Sequence, residues 1–323
     1  RDYNPTSDLF VSTTQVSSRS RFLRRRMPVS VPGKLWQIRE IDGYFPVSRV
    51  GFGPMMLLKT AVVVLLACLW VTTVGAEEAP PGEPDLAREQ RIAAEIVDAI
   101  LDGEPIEIET GDGLSFLGIY TESAVLPAKG TVLILHGRGL HPNWTNVVNP
   151  LRVGLVEHGW STLAIQLPVL AKDATYYDYF EVFDDAIPRI EAAIAFARAA
   201  SGGTLVVVAH SCGTHMAQHW MHARSDTAPA QLDAFVGIGM GAIDIGQTMR
   251  EPFALDKLPI PVLDVYAELD FPNVQRLAPV RREAMQRGGN AHNAQITVPD
   301  AEHYFVDRGQ ALLDVVAAWL DTL

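Results

Sequence analysis

From Thr131 onwards the chain alternates between short runs of consecutive apolar residues and longer stretches in which apolar positions recur every three or four. Thr131–Leu135, Ser161–Leu167, Thr204–Ala209, Ala234–Met240, Val262–Ala267 and Ala294–Val298 read as strands. Thr-Val-Leu-Ile-Leu at 131–135 shows no polar alternation, as in a strand covered on both faces. Between these runs, Val147–His158, Tyr179–Ala200, Gly213–Arg224, Val274–Arg287 and Gln310–Leu323 carry helical spacing, with Pro188 a possible kink. Upstream, Ile92, Ile96, Val97 and Ile100 predict a helix over Leu86–Leu101. Ile106–Glu109 and Leu114–Tyr120 predict an antiparallel pair around Gly111-Asp112-Gly113. The expected fold is α/β, a mostly parallel eight-stranded sheet with helices on both faces. The stretch between Gly241 and Pro261 is about twenty residues, too short for a cap domain but long enough for a minimal lid.

The N-terminal quarter has a different pattern. Residues 55–76, starting at Met55, combine Lys59, an apolar run from Ala61 to Val74 and a small-residue ending at Ala76. This is the layout of a cleavable export signal, and the run is short for a spanning helix. The acidic, proline-rich stretch from Glu77 to Pro84 then opens the mature chain, with 77–104 a linker and helix. The expected location is periplasmic or secreted, the alternative being a membrane anchor from an uncleaved signal. Residues 1–54 lack apolar periodicity and read as a disordered leader upstream of a misplaced start. Otherwise they are an extension whose Arg21–Arg26 cluster lengthens the basic region.

Charge and cysteine content narrow the classes. Residues 1–76 carry a net +6, residues 77–323 a net −18. A body this acidic disfavours nucleic acid and anionic membrane as partners, so no stable membrane insertion is expected once the signal is removed. Of the two cysteines, Cys68 lies in the export segment, leaving Cys212 without an intramolecular partner. Stability must then come from the core.

The chemistry centres on Leu205–Gly213, LVVVAHSCG, an apolar strand running into a serine and then a helix. A serine on such a tight turn is flanked by small residues because the backbone there is strained. Gly213 satisfies this two residues after Ser211, whereas Ala209 is slightly bulky for the position two before it. The helix that follows aims its first N–H groups at the site, so the N–H of Cys212 can face a developing oxyanion. Serine alone is a weak nucleophile and needs a base. In nucleophile–acid–base order, Asp270 just past one strand and His303 in the loop after another are the candidates, with Asp264 and Glu268 as rival acids. LHGRG at 135–139 ends a further strand, and its turn can supply a second oxyanion donor from the N–H of Arg138. His136 reads there as a buttress rather than a base.

LHGRG, AHSCG, Asp270 and His303, in this order over about residues 105–323, resemble the α/β-hydrolase superfamily. The segment HGRGLHPNW…LRVGLVEHGWSTLAIQLP is also similar to a little-characterised group of exported bacterial α/β-hydrolase-like proteins. The resemblance implies a serine hydrolase that cleaves a carboxylic ester or thioester through a Ser-His-Asp triad and an acyl-enzyme. It requires no cofactor or metal and takes a small-molecule ester as its partner. The alternative is a non-catalytic binding or envelope protein on an inactive hydrolase scaffold.

Other residues are placed less firmly. His136, Gly137, His141, Trp144 and Tyr176 are candidate substrate-pocket residues. His215, His219 and His222 share a helical face and invite a metal reading. That reading is disfavoured because no carboxylate or cysteine is placed to complete the set, and because Ala217, Trp220 and Met221 should pack inward and leave the histidines outside. Cys212 is expected to pack away from the pocket.

Overall fold

The computed structural model describes residues 80–323; the stretches read from sequence as a leader (1–54) and an export signal (55–76) lie outside them. Among the described residues the first element is helix α1 (Leu86–Ile96), capped by the Asp85 carboxylate on the Arg88 N–H (2.8 Å). Strands β1 (Glu104–Glu109) and β2 (Ser115–Thr121) form the expected antiparallel pair. There follow β3 (Gly130–Leu135), helix α2 (Val148–Gly154), β4 (Trp160–Ile165), helices α3 (Tyr176–Phe180) and α4 (Phe183–Ser201), and β5 (Thr204–His210). The rest comprises α5 (Cys212–Ala223), a short α6 (Ala228–Gln231), β6 (Ala234–Ile238), β7 (Val262–Leu269), α7 (Pro272–Gly288), β8 (Ala294–Glu302) and α8 (Gly309–Leu320).

The eight strands form one sheet in the order β1-β2-β4-β3-β5-β6-β7-β8. β2 runs antiparallel to β4, and every pair from β4 to β8 is parallel. The unbroken apolar runs have the burial they predict, with all six residues of β3 and of β4 buried. Their side chains alternate between two cores. Leu133, Leu135, Val207 and Ala209 join α4 and α5 on one face, while Val132, Ile134, Val206 and Val208 join α2 and α8 on the other. The order in which strands are added reverses at β3, whose neighbours β4 and β5 lie on opposite sides and run parallel to it. In open α/β sheets that crevice at the carboxyl strand ends is where ligands bind.

The expected single helix Tyr179–Ala200 is two. Thr175 and Asp178 form a capping box that starts α3 early, and Val182 leaves helical geometry before α4 begins. α4 then continues through Pro188. α1 is fixed to this body by an ion pair: Arg189 of α4 donates to both carboxylate oxygens of Glu89 (2.7 and 3.2 Å), and Glu89 also accepts from the Val169 N–H (3.2 Å). No helix among the described residues is long and apolar enough to cross a membrane.

Candidate active site

β5 ends at His210, and the next residue reverses the chain into α5. Ser211 makes that turn at φ 53°, ψ −120°, a conformation costly for any side chain. The turn is pinned by Ser211 N–H on Ile238 O (2.8 Å) and by Thr214, which donates its N–H and hydroxyl to Ser211 O (2.9 and 2.6 Å). Gly213 is required because α5 packs onto the end of β3. A β-carbon at 213 would lie 2.5 Å from the His136 carbonyl oxygen, a backbone atom that cannot step aside.

Two other strand ends bring in the partners. The loop after β8 carries His303, whose Nε2 is 2.8 Å from Ser211 Oγ. Past β7, Asp270 places Oδ1 2.6 Å from His303 Nδ1. A carboxylate only accepts, so Nδ1 carries the proton and Nε2 is free to accept the serine proton. Asp270 is itself held by the N–H groups of Phe271 (2.7 Å, on Oδ1) and Ala267 (3.1 Å, on Oδ2). The ring of His303 is packed between neighbours. Phe271 stacks on it (4.0 Å between centroids), and Gly239 at φ 65° leaves it room, since a β-carbon there would lie 2.8 Å from Cε1. His210 donates Nε2–H to the His303 carbonyl (3.0 Å), tying the nucleophile's strand to the base's loop. Burial drives the His210 pKa down to about 3, so this ring stays neutral.

The rival acids are engaged elsewhere. Asp264 is wholly buried against Arg281 (2.8 Å) and Gln295 (2.7 Å), and burial raises its pKa. Arg281 in turn holds the Met240 carbonyl (2.8 Å), bracing the loop beneath His303. Glu268 accepts the Asp300 N–H (2.9 Å).

The turn after β3 borders the serine. A β-carbon at Gly137 would come within 3.2 Å of Ser211 Cβ. His136 lies behind the turn, with Nδ1–H on Gly137 O (2.8 Å) and Nε2 accepting the Leu167 N–H (3.0 Å). Leu140 N–H also reaches Gly137 O (3.2 Å). Because the peptide is planar and trans, fixing the Gly137 carbonyl turns the Arg138 N–H the opposite way, off His136. Burial lowers the His136 pKa to about 3, which keeps this arrangement neutral. The Cys212 N–H opens α5, where the first N–H groups have no partner within the helix.

Ser211 and Cys212 form part of the floor of a cavity of about 270 Å³, walled by Tyr176, Ile243, Phe271 and Tyr304. The Arg138 guanidinium also lines it, forked onto Asp244.

Against this geometry stand the comparisons. A family model described as a protein of unknown function (DUF3530) matches residues 59–179. No curated protein matches the chain. Among solved structures, Est1E from Butyrivibrio proteoclasticus is 14% identical, with a TM-score of 0.51 over 68% of this chain and 98% of its own. An alpha-beta serine hydrolase homologue from Coxiella burnetii is 16% identical, with a TM-score of 0.52 over 68% and 98%. Dienelactone hydrolase from Anabaena variabilis is 17% identical, with a TM-score of 0.50 over 68% and 97%. The chain has an α/β-hydrolase fold.

Within this hydrolase fold the structure brings Ser211, His303 and Asp270 into one hydrogen-bonded line, and places Cys212, Arg138 and Tyr176 at the cleft. Four pocket candidates are corrected. His136 and Gly137 do not line the cleft: one is buried behind the turn and the other packs against Ser211. His141 and Trp144 pack edge to face on each other (5.6 Å) and are not among the residues lining this cavity. The outward placement of the helix histidines is also corrected. His215 is buried among Tyr176, Phe183 and Phe253, and burial takes its pKa down to about 4. His219 does meet carboxylates, Glu251 (2.9 Å) and Asp184 (2.8 Å), while His222 stays exposed, so the three do not converge. Cys212 is buried and its thiol is pushed up to about 12, so it stays protonated. His210, Phe271, Tyr304 and Asp244 were not singled out for the site in the sequence. The one signal available was a polar residue, His210, ending an apolar strand beside the serine.

Proposed function

We propose that this protein is a serine hydrolase acting by acyl transfer on a carboxylic ester or thioester. The observation that carries the proposal is the line Asp270–His303–Ser211, at 2.6 and 2.8 Å, ending on a serine in a strained turn at a cleft floor. Ser211 Oγ attacks the substrate carbonyl carbon while His303 Nε2 takes its proton. Asp270 holds the ring and stabilises the imidazolium. The N–H groups of Cys212 and Arg138 receive the oxyanion. The intermediate collapses, and the leaving alcohol or thiol takes the proton from His303. Water, deprotonated by His303, then attacks the acyl-enzyme, releasing the acid and restoring Ser211. Every group that moves a proton here belongs to the chain. Esters and thioesters are favoured over amides because the lid is short and the solved neighbours of this fold include a protein named as an esterase and a dienelactone hydrolase. The apolar stretch at 55–76 supports export, so the substrate belongs outside the cytoplasm.

The test is labelling with a fluorophosphonate together with hydrolysis of p-nitrophenyl esters of graded chain length. Labelling at Ser211 that disappears in Ser211→Ala and survives a chelator is expected. A folded protein that neither labels nor hydrolyses any ester sinks the proposal and favours a binding protein on this scaffold; loss of activity with chelator favours a metal enzyme.

A further inference from the structure

Asp244 belongs to the segment between β6 and β7, far in sequence from the nucleophile, the base and the acid. Its carboxylate nevertheless reaches the turn expected to hold the second oxyanion donor. Oδ2 accepts from Arg138 Nη1 (2.5 Å) and from the Tyr176 N–H (2.6 Å), and Oδ1 accepts from Arg138 Nη2 (3.0 Å). A planar guanidinium held at two points has a fixed orientation. The Arg138 backbone is thereby restrained from both ends. The peptide before it is fixed through Gly137 O, and its side chain is fixed by Asp244.

The segment that carries Asp244 is laced to α3. Gln247 accepts the Tyr177 N–H (3.1 Å), and Thr248 N–H and Arg250 N–H reach the hydroxyls of Tyr177 (2.9 Å) and Tyr176 (3.0 Å). The Arg250 guanidinium lies 4.5 Å from the centre of the Tyr177 ring. Neighbouring Ala242, Ile243 and Ile245 line the cleft.

We infer that Asp244 is a positioning residue for the reaction, coupling the docked lid segment to the oxyanion-donor turn through the side chain of Arg138. The inference rests on the hydrolase reading above. An oxyanion donor must stand in place before the charge develops, so freeing the Arg138 side chain costs turnover more than substrate binding. The Arg138–Asp244 pair is partly exposed, and its contribution to stability is small. Its role is therefore separable from folding.

The experiment compares wild type, Asp244→Asn, Arg138→Met and the double variant, measuring kcat and KM on p-nitrophenyl acetate alongside thermal unfolding. Asp244→Asn keeps the shape and the acceptor for Tyr176 but loses the charge-assisted fork. It is expected to lower kcat roughly ten- to a hundredfold, the scale set by misplacing a catalytic group by about 1 Å, with KM and Tm little changed. Acting through Arg138, it should cost nothing further in the Arg138→Met background. Unchanged kcat in Asp244→Asn, additive losses in the double variant, or a loss matched by a fall in Tm overturns the inference alone. A folded wild type that hydrolyses no ester overturns the hydrolase reading and this inference with it.

Discussion

Phe271 lies flat on the imidazole of His303, with ring centroids 4.0 Å apart and planes 21° apart. The same residue donates its N–H to Asp270 Oδ1 (2.7 Å), so one position orients both the base and the acid behind it. The two contributions separate by mutation, because the N–H survives any side-chain change except proline. Stacked ring pairs contribute about 0.5–1.5 kcal/mol beyond burial. Phe271→Leu is therefore expected to slow acylation about two- to tenfold while the Asp270–His303 contact persists. Stopped-flow release of p-nitrophenol checks it, and an unchanged acylation rate rejects the orienting role.

The backbone of Ser211 gives a prediction that needs no substrate. At φ 53°, ψ −120° any β-carbon is strained, whereas glycine is not. Ser211→Ala and Ser211→Gly both remove the hydroxyl and its contact with His303, so their difference isolates the strain. At an ordinary position the glycine variant is the less stable by about 0.5–1 kcal/mol. Here Ser211→Gly is expected to be the more stable by about 1 kcal/mol. Urea unfolding of the two inactive variants reads the sign directly.

Local pattern carried the sheet and the three strand ends that hold Ser211, Asp270 and His303, because buried parallel strands are unbroken apolar runs and the residues that follow them are forced to the same rim. What was not legible depends on distant partners. His215 sits on a polar helical stripe and reads as exposed; its burial comes from Phe253, contributed by the segment after β6. Nothing local in the sequence marks Glu89 as buried; its partner Arg189 lies a hundred positions on. Phe271 and Asp244 carry no motif, and their meaning lies in the rings and forks they complete.

His219 sets a pH dependence of stability. Its burial opposes protonation, but the hydrogen bonds it donates to the carboxylates of Asp184 and Glu251, with their negative charge, more than offset this and raise its pKa above the ordinary 6.5. A histidine raised on folding stabilises fully below its unfolded value and loses that stabilisation as pH climbs through the folded one. Wild type should therefore lose stability as pH rises from about 6.5 upward, and His219→Gln should lose less over the same window. Since Glu251 belongs to the lid segment, hydrogen-exchange protection at 241–260, taken relative to the intrinsic rate at each pH, should fall over the same range in wild type and not in His219→Gln. Parallel pH–stability curves for the two proteins exclude this assignment.

The Glu89–Arg189 pair decides how α1 is held. Arg189 is fully buried and Glu89 nearly so, with side-chain exposures of 0% and 9%. Burial raises the Glu89 pKa, partly offset by the charge and hydrogen bonds of Arg189. A desolvated pair gains little over apolar residues of the same shape, yet breaking it leaves a buried charge with no counterpart. The two outcomes differ enough to measure. Glu89→Ala strands the Arg189 guanidinium, which keeps a long hydrogen bond to Gln166 O (3.3 Å) and the Phe116 ring face (5.8 Å) but no counter-charge in contact, and is expected to cost about 3–5 kcal/mol. Replacing both, as Glu89→Leu with Arg189→Met, should cost less than the single variant although it removes more polar contacts. Denaturant unfolding of both variants settles the order. If the double variant is the less stable, the pair contributes net attraction, and α1 is held by charge rather than by packing.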